Sequence, residues 1–381
     1  MRIAYVCADP GVPIWGSKGA SVHVQEMLRA LVRAGHDLTV LTPRPEGTRP
    51  ADLSAVKVRQ LPPAPKGKPA ARARKLLAAN KELWAILDQS GSDLVYERHA
   101  LYTFAATEWA ASAGVPSVLE VNAPLLREQT EHRTLALADE ATAGVYRAMQ
   151  AATLTTAVTK PVADHAHEMG ARDVIVVPNA IDPDRFQAAA PLASQPYTVG
   201  FLGSLKRWHG LPTLADAFSQ LYHERPETRL LIIGDGPERA TIENALNRLN
   251  IGNAVEFTGL LPASDVPAAL VRLDVGTAPY SAQQDFYFSP LKIYEYMAAG
   301  LPVVTSDTGH LREIVNDRVT GLIVPPDDPN ALSTTLMRLA DDPSLGRRLG
   351  EAGRAHVFSE HTWSGTAAKV LARAFANRRA A

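Results

Sequence analysis

What most constrains the fold of this chain is an alternation that runs through it twice: strand-length apolar stretches separated by helical patterns. Parallel strands need a crossover connection, usually a helix, so the alternation predicts two sets of β/α units. In the first series, apolar runs at 3–7, 38–42, 93–97, 117–121, 157–159 and 174–177 predict strands. A helix is expected over 21–34, ended by Gly35. The second series starts at 198–203 and continues at 230–234, 255–257, 275–278, 303–305 and 321–324, with helical patterns from Asn330 onward. The stretch between the two series lacks periodicity and reads as a linker. At 381 residues the chain is long for one core, which agrees with two domains. We expect a first domain over 1–187, a linker over 188–196 and a second domain over 197–361.

Composition narrows the class of function. Hydrophobic residues make up 46% and charged residues 21%, as in a soluble globular protein. A formal net charge of −1 provides no overall attraction to nucleic acid, so no nucleic-acid partner is expected. Cys7 is the single cysteine, which excludes an internal disulfide and fits a reducing compartment. It lies in the apolar run that ends at Asp9-Pro10-Gly11, a strand rather than a signal peptide. No stretch approaches the roughly 20 apolar residues of a membrane span, and the expected location is the cytoplasm. The most basic window, 66–75, contains Lys66, Lys68, Arg72, Arg74 and Lys75. It suits weak peripheral contact with anionic lipid at the inner face of a membrane or with an acidic acceptor, or a solvated loop and helix start.

One segment of the second half carries a chemical signature. Over 285–300, Ser289 is the expected N-cap, Pro290 the first helical residue, and Gly300-Leu301-Pro302 the stop. Lys292 then falls in the first turn, where a cation opposes the helix dipole at a cost of roughly 0.3–1 kcal/mol unless an anion is present. The free N–H groups of Leu291 and Lys292 point the same way as the ammonium, which together describe a phosphate site. Glu295, one turn on, is placed to accept hydrogen bonds from hydroxyls, so a nucleoside diphosphate with its ribose fits. The plainer reading is an ordinary capped helix with a solvated lysine.

The segment resembles the nucleotide-sugar grip of retaining GT-B glycosyltransferases of family 4, in which two Glu residues are separated by seven others and followed by Ala-Gly-x-Pro-Val-Val. Glu295 matches the second Glu, and Ala299-Gly300-Leu301-Pro302-Val303-Val304 matches the strand lead-in. The first Glu falls on Tyr287, whose phenol cannot accept two hydroxyls as a carboxylate does. Asp285 lies two residues out of register. The resemblance implies an α/β fold of the GT-B type: two Rossmann-like doubly wound domains facing a cleft. It also implies a C-terminal helix within 362–381 that crosses back to pack on the first domain.

Further segments extend the resemblance. In Gly203-Ser204-Leu205-Lys206-Arg207-Trp208-His209-Gly210, Ser204 and His209 occupy the places of the family's diphosphate-neutralising Arg and Lys. Lys206 and Arg207 supply cations in the same loop. Gly234, in Gly234-Asp235-Gly236-Pro237, is expected beside the base. Gly16 and Gly19 resemble the family's N-terminal glycine loop, and their spacing does not fit a dinucleotide fingerprint. Glu97 and Asn122 are expected at strand C-terminal ends, where such folds bind ligands. In many family members a His that contacts the transferred sugar stands where this chain has Asn122. His99 and His132 are the nearby alternatives, and the Glu97-Arg98 pair also reads as a simple ion pair.

The function implied is transfer of a sugar, with retention, from a nucleoside diphosphate sugar to an acceptor hydroxyl of a glycan, a lipid-linked sugar or a small natural product. The donor would lie on the second domain, held by Gly203, Ser204, Lys206, Arg207, Gly234, Ser289, Pro290, Leu291, Lys292 and Glu295, with Gly16 and Gly19 lining the site. Glu97, His99, Asn122 and His132 are the acceptor-side candidates, and Lys206, Lys292, Asn122 and Tyr287 the catalytic ones. No metal site is read in the sequence and no cofactor is expected beyond the sugar nucleotide as co-substrate. Two other readings remain open: a non-catalytic protein that binds nucleotide sugars, and a nucleotide-sugar epimerase on the same fold.

Overall fold

A computed structural model describes residues 1–63, 66–187, 196–282 and 286–378. Asp285 and nearly all of the expected linker, 188–195, lie outside these residues. By their packing the described residues divide into two units. The first unit comprises Met1–Asn179, Tyr287–Ser289 and the chain from Trp363; the second comprises Ala180–Phe286 and Pro290–Thr362.

The first unit contains β1 (Arg2–Cys7), α1 (Gly19–Arg33), β2 (Asp37–Thr42), β3 (Lys57–Gln60), α2 (Pro69–Asp88), β4 (Leu94–Arg98), α3 (Ala105–Ser112) and β5 (Ser117–Val121). It continues with α4 (Leu125–His132), α5 (Ala138–Ala151), β6 (Leu154–Ala157), α6 (Lys160–Glu168) and β7 (Val174–Val176). Its strands form one parallel sheet in the order β3-β2-β1-β4-β5-β6-β7, so the winding direction reverses between β1 and β4. Ile3 through Cys7 are fully buried, as a parallel strand covered on both faces requires. One face packs Val6 and Val95 under Ala106 and Trp109 of α3; Leu119 and Val121 pack under α5 and α6.

The second unit contains β8 (Thr198–Leu202), α7 (Leu211–Glu224), β9 (Arg229–Ile233), α8 (Arg239–Arg248), β10 (Val255–Gly259), α9 (Val266–Leu270), β11 (Val275–Ala278) and α10 (Leu291–Ala298). Then come β12 (Val303–Ser306), α11 (Leu311–Ile314), β13 (Leu322–Val324), α12 (Pro329–Asp341) and α13 (Pro343–Glu360). Its parallel sheet runs β10-β9-β8-β11-β12-β13, with the reversal between β8 and β11. Phe201, Phe218, Ile232 and Leu336 centre its core. The last helix, α14 (Trp363–Arg378), belongs to the first unit and packs on α1. There Arg373 pairs with Asp173 at 2.9 Å.

Several expectations need correction. The first unit's main stretch stops at Asn179 rather than 187, because Ile181 hydrogen-bonds the His361 carbonyl at 2.9 Å and the Phe186 carbonyl accepts from Arg354 at 2.5 Å, all within the second unit. Strand β6 lies at Leu154–Ala157, not 157–159, since Thr159 already leads into α6. Strand β3 was not anticipated: Lys57-Val58-Arg59-Gln60 is polar and mostly exposed, and its one strand partner is β2. Helix α1 begins at Gly19 rather than 21, because the Ser21 and Val22 amides already bond the Lys18 carbonyl at 2.8 and 3.0 Å.

Candidate functional site

The second unit holds the candidate site at the C-terminal ends of β8 and β11 and the start of α10. Tyr296, fully buried on α10, staples the helix to the sheet: its hydroxyl accepts from the Leu202 amide at 2.6 Å and donates to the Thr277 carbonyl at 3.2 Å. One turn earlier on the same helix, Lys292 is drawn inward rather than left in solvent, and is 6% exposed. Its ammonium lies 4.0 Å from the centre of the Phe201 ring and 5.2 Å from that of Tyr280. The backbone of Gly203 faces it closely; a Cβ there would come within 3.2 Å of Nζ.

An ammonium carries three donors, and among the described residues buried Nζ of Lys292 has no hydrogen-bond partner. Burial, partly offset by Glu295, lowers its pKa from 10.5 to about 7. The two aromatic faces stabilise the cation by about 2 kcal/mol at most sites of this kind, short of what three lost hydrogen bonds would have supplied. The arrangement therefore favours an anion at Nζ. Leu291 and Lys292 open α10 and have no i−4 carbonyl within it, so their amides add to that preference.

The loop after β8 frames the same place. Gly203 (φ 134°) and Gly234 (φ 132°) approach so closely that a Cβ on Gly234 would lie 2.1 Å from the Gly203 carbonyl oxygen. Lys206 is half-buried with Nζ 5.3 Å from the Trp208 ring centre. Arg207 is exposed and contacts Glu238 at 3.4 Å. Ser204 is exposed, and its carbonyl takes the Nδ1 hydrogen bond of His209. Burial, with the charges of Lys292 and Lys206, lowers the His209 pKa to about 2, so this imidazole is neutral. With Nδ1–H given to Ser204, Nε2 is an acceptor, and His209 cannot act as the cation the family places here. Glu295 stands half-buried one turn beyond Lys292.

Two details of this segment differ from the expectation. Pro290, not Ser289, is the N-cap of α10, and the Ser289 hydroxyl accepts from the Asn179 amide at 3.2 Å instead of capping the helix. Tyr287 packs in the first unit: its carbonyl accepts from Thr159 Oγ1 at 2.7 Å, and its hydroxyl donates to Glu128. A phenol committed to Glu128 does not replace the missing Glu as a free acceptor.

The remaining first-unit candidates separate. Glu97 is fully buried on the α3 side of the sheet, and burial, partly offset by the Thr107 backbone, raises its pKa to about 8. It presents no carboxylate to an acceptor. Nor does it pair with Arg98, because strand alternation sends Arg98 to the opposite face, where it meets Glu120 at 2.9 Å. Asn122 donates to Glu120 at 2.5 Å. His99, also buried, has no partner for Nδ1 among the described residues, and burial with the charges of His165 and Arg98 lowers its pKa to about 4. His132 is exposed at the end of α4 beside Glu131 at 4.0 Å and joins neither. Gly16 lies in the β1–α1 loop, braced by Gln25 Nε2 on its carbonyl at 2.9 Å, and Gly19 is the exposed first residue of α1. The basic window is exposed at Lys66, Lys68, Arg72, Arg74 and Lys75, and among the described residues no helix is long and apolar enough to cross a membrane.

His23, Glu120 and Asn179, none of them a candidate from the sequence, form a connected polar cluster in the first unit. An acid inside the apolar run Leu119-Glu120-Val121 was the one signal that could have found it. The chain also contains an Asp-x-Asp spacing, Asp182-Pro183-Asp184, in which Asp182 accepts from the Asp184 amide at 3.2 Å and caps a short turn. Among the described residues no three His, Cys, Asp or Glu side chains gather as metal ligands.

Each unit is a parallel doubly wound sheet, the α/β architecture of the GT-B class of glycosyltransferases. Residues 196–342 match the family described as glycosyl transferases group 1, and residues 17–185 match glycosyltransferase family 4. The chain belongs to this family. It is 31% identical to 2-deoxystreptamine glucosyltransferase of Streptomyces kanamyceticus over 57% of this chain and 59% of that protein. It is 30% identical to phosphatidyl-myo-inositol mannosyltransferase of Mycobacterium tuberculosis over 52% of this chain and 53% of that one. These matches thus span little more than half of each relative. Among solved structures, sucrose-phosphate synthase from Thermosynechococcus elongatus superposes with a TM-score of 0.75 at 20% identity, covering 100% of both chains. Anabaena HepE in complex with UDP and glucose superposes at 0.72 and 18%, covering 97% of this chain and 98% of that one. These likenesses establish the GT-B fold.

Proposed function

We propose that this protein is a retaining glycosyltransferase that moves a hexose from a nucleoside diphosphate sugar to an acceptor hydroxyl, without a metal ion or a cofactor. The observation that carries the reading is Lys292, a buried ammonium at the start of α10 with no hydrogen-bond partner among the described residues. The names of relatives, a glucosyltransferase and a mannosyltransferase, and the UDP and glucose in HepE support a hexose donor.

In this reading Lys292 and the Leu291 amide meet the diphosphate, Lys206 closes on it from the β8 loop, and Glu295 accepts from ribose hydroxyls. As the bond between the sugar's anomeric carbon and the phosphate oxygen breaks, the acceptor oxygen bonds to that carbon from the same face. The departing phosphate takes the acceptor proton. Cationic stabilisation of the leaving group is then the protein's main contribution, which suits a site without a paired acid and base. Asn122 and Tyr287, bound to Glu120 and Glu128, would act as holding groups, and His99 is the acceptor-side imidazole.

The test is thermal shift against UDP, GDP, ADP and their hexose conjugates, beside Lys292→Ala and Glu295→Ala. A ligand that binds only the folded state raises stability by RT ln(1 + [L]/Kd), so a base-selective rise of several degrees is expected and both substitutions should remove it. No rise with any nucleotide would overturn the reading. Product anomeric configuration by NMR tests retention, and activity undiminished by EDTA tests metal independence. Selective binding without transfer to any hydroxyl acceptor would favour the non-catalytic reading.

A further inference from the structure

Arg98 ends β4, where the winding of the first unit's sheet reverses between β1 and β4. In open doubly wound sheets, ligands lie beyond the C-terminal strand ends at such a reversal. Cys7 of β1, Arg98 of β4 and Glu120 of β5 stand in register across three neighbouring strands. Glu120 is 4% exposed, and its Oε2 accepts from Tyr96 Oη at 2.8 Å. Its Oε1 accepts from Arg98 Nη1 at 2.9 Å and from Asn122 Nδ2 at 2.5 Å, with His23 Nε2 3.0 Å away. Burial pushes the Glu120 pKa up, but His23, Arg98 and Asn122 outweigh burial and hold it well below the usual carboxylate range.

One carboxylate oxygen thus holds two side chains beside each other and leaves each of them half-used. A guanidinium carries five donors, and among the described residues Arg98 makes one hydrogen bond, to Glu120. Asn122 turns its amide nitrogen to the carboxylate, which only accepts, so its Oδ1 is an acceptor with no partner among the described residues. The Arg98 side chain is 12% exposed and Asn122 is half-buried, so a ligand at the strand ends reaches both. Charge decides the class of ligand. Unlike Lys292, Arg98 already faces a carboxylate, and Asp9, just past β1, adds a second negative charge near it. What this place has to spare is hydrogen bonds, not positive charge. Spare N–H donors next to a spare amide oxygen suit two neighbouring hydroxyls: Arg98 donates to the oxygen of one, and Asn122 Oδ1 accepts from the other.

We propose that Arg98 and Asn122, held together by Glu120, bind two adjacent hydroxyls of the acceptor and that the acceptor is a neutral ring polyol, a role that rests on reading the protein as a transferase to an acceptor hydroxyl. Glu120 is then a positioning residue, and the fork of Arg98 and the amide of Asn122 set specificity. A site whose polar groups are fixed before the ligand arrives rejects a ring without the matching hydroxyls, because its own groups are then left unpaired.

The experiment measures binding of myo-inositol and of phloroglucitol by ligand-observed NMR, with inorganic phosphate as competitor. Myo-inositol presents adjacent hydroxyls along every edge of its ring; phloroglucitol is the cyclohexanetriol in which no two are adjacent. Wild type, Arg98→Lys, Asn122→Ala and Tyr96→Phe are compared, with Tm for each and UDP and GDP affinity by calorimetry. Arg98→Lys keeps the charge facing Glu120 and loses the planar fork, while Asn122→Ala removes the acceptor. We expect wild type to prefer myo-inositol over phloroglucitol by about tenfold or more, with no competition from phosphate. Arg98→Lys and Asn122→Ala should each lose about tenfold in myo-inositol affinity and bind the two rings nearly alike. Tyr96→Phe, which removes the bond to the other oxygen of Glu120, should lower Tm and leave the preference unchanged. Should Arg98→Lys not fold, Asn122→Ala carries the test. An equal loss in Tyr96→Phe overturns the proposal, because affinity would then follow stability. Competition by phosphate that Arg98→Lys abolishes also overturns it, since Arg98 would then be an anion site. No preference for myo-inositol in a wild type that binds UDP or GDP overturns the polyol site and leaves the transferase reading standing. A preference for myo-inositol in a protein that binds no nucleotide removes the transferase reading, and the acceptor role with it.

Discussion

Replacing Lys292 with Met should make the unliganded protein more stable while removing its ligand response. The fall of the Lys292 pKa from 10.5 to about 7 corresponds to about 5 kcal/mol against the buried ammonium, at about 1.4 kcal/mol per tenfold change in proton affinity. Met is of similar length, needs no hydrogen bonds and packs well on the Phe201 and Tyr280 rings, while the cation–π attraction of about 2 kcal/mol is lost. The net gain is about 3 kcal/mol, or a rise in Tm on the order of 5–10 °C for a unit of this size. The pH dependence gives a second check. Below pH 7 the lysine is charged in both folded and unfolded chains and the folded state bears the whole penalty. Between about 7 and 10.5 the folded lysine gives up its proton first, so wild-type stability rises with pH while Lys292→Met stays flat. The advantage of Met should shrink by about 1.4 kcal/mol per pH unit across that window. Calorimetric melting at pH 6, 7.5 and 9 with and without UDP or GDP measures both effects. A Lys292→Met variant that melts below wild type without ligand at pH 7 would refute the argument, because it would mean that the ammonium already has a partner in the unliganded protein.

Gly276→Ala should destabilise the second unit by roughly 1–3 kcal/mol or more, since the new Cβ would lie 2.4 Å from the Tyr296 ring; a drop in Tm with lost ligand response checks it. Glu97→Gln tests the buried acid. With its folded pKa raised from 4.5 to about 8, the wild type binds more protons folded than unfolded between those values, so it loses stability as pH rises through the window. Denaturant titrations at pH 5 and pH 8 should show that loss in wild type and a nearly level response in Glu97→Gln. His132→Ala, at an exposed helix end, should change stability by no more than about 0.5 kcal/mol and leave transfer rates at wild-type values, measured by melting and initial rates.

How far the sequence could be read depended on whether a residue's partner lies near it in the chain. The strands were legible because parallel strands covered on both faces must be apolar along their length, and Val275–Ala278 and Ser117–Val121 fall where the apolar runs do. Edge strand β3 fails that condition and was missed. Lys292 stood out because a cation in a first turn is locally wrong, and only an unseen partner makes it right. Its burial on Phe201 was not legible, since that ring comes from β8. Glu97 and Arg98 show the opposite limit: adjacent in sequence, they looked like a pair, yet alternation places one under α3 and the other on Glu120. Tyr287 was judged by the register of one motif, while its position follows from Thr159 and Glu128. Nothing near Ser289 in the chain indicates that its carbonyl belongs to Asn179, or that Asn179 belongs to His23. Local misfits such as Lys292 are what a sequence shows most directly, because a cation in a first turn opposes the helix dipole whatever surrounds it. Residues such as His23, Asn179 and Ser289 are locally unremarkable, and their bonds become visible only when segments distant in the chain are brought together.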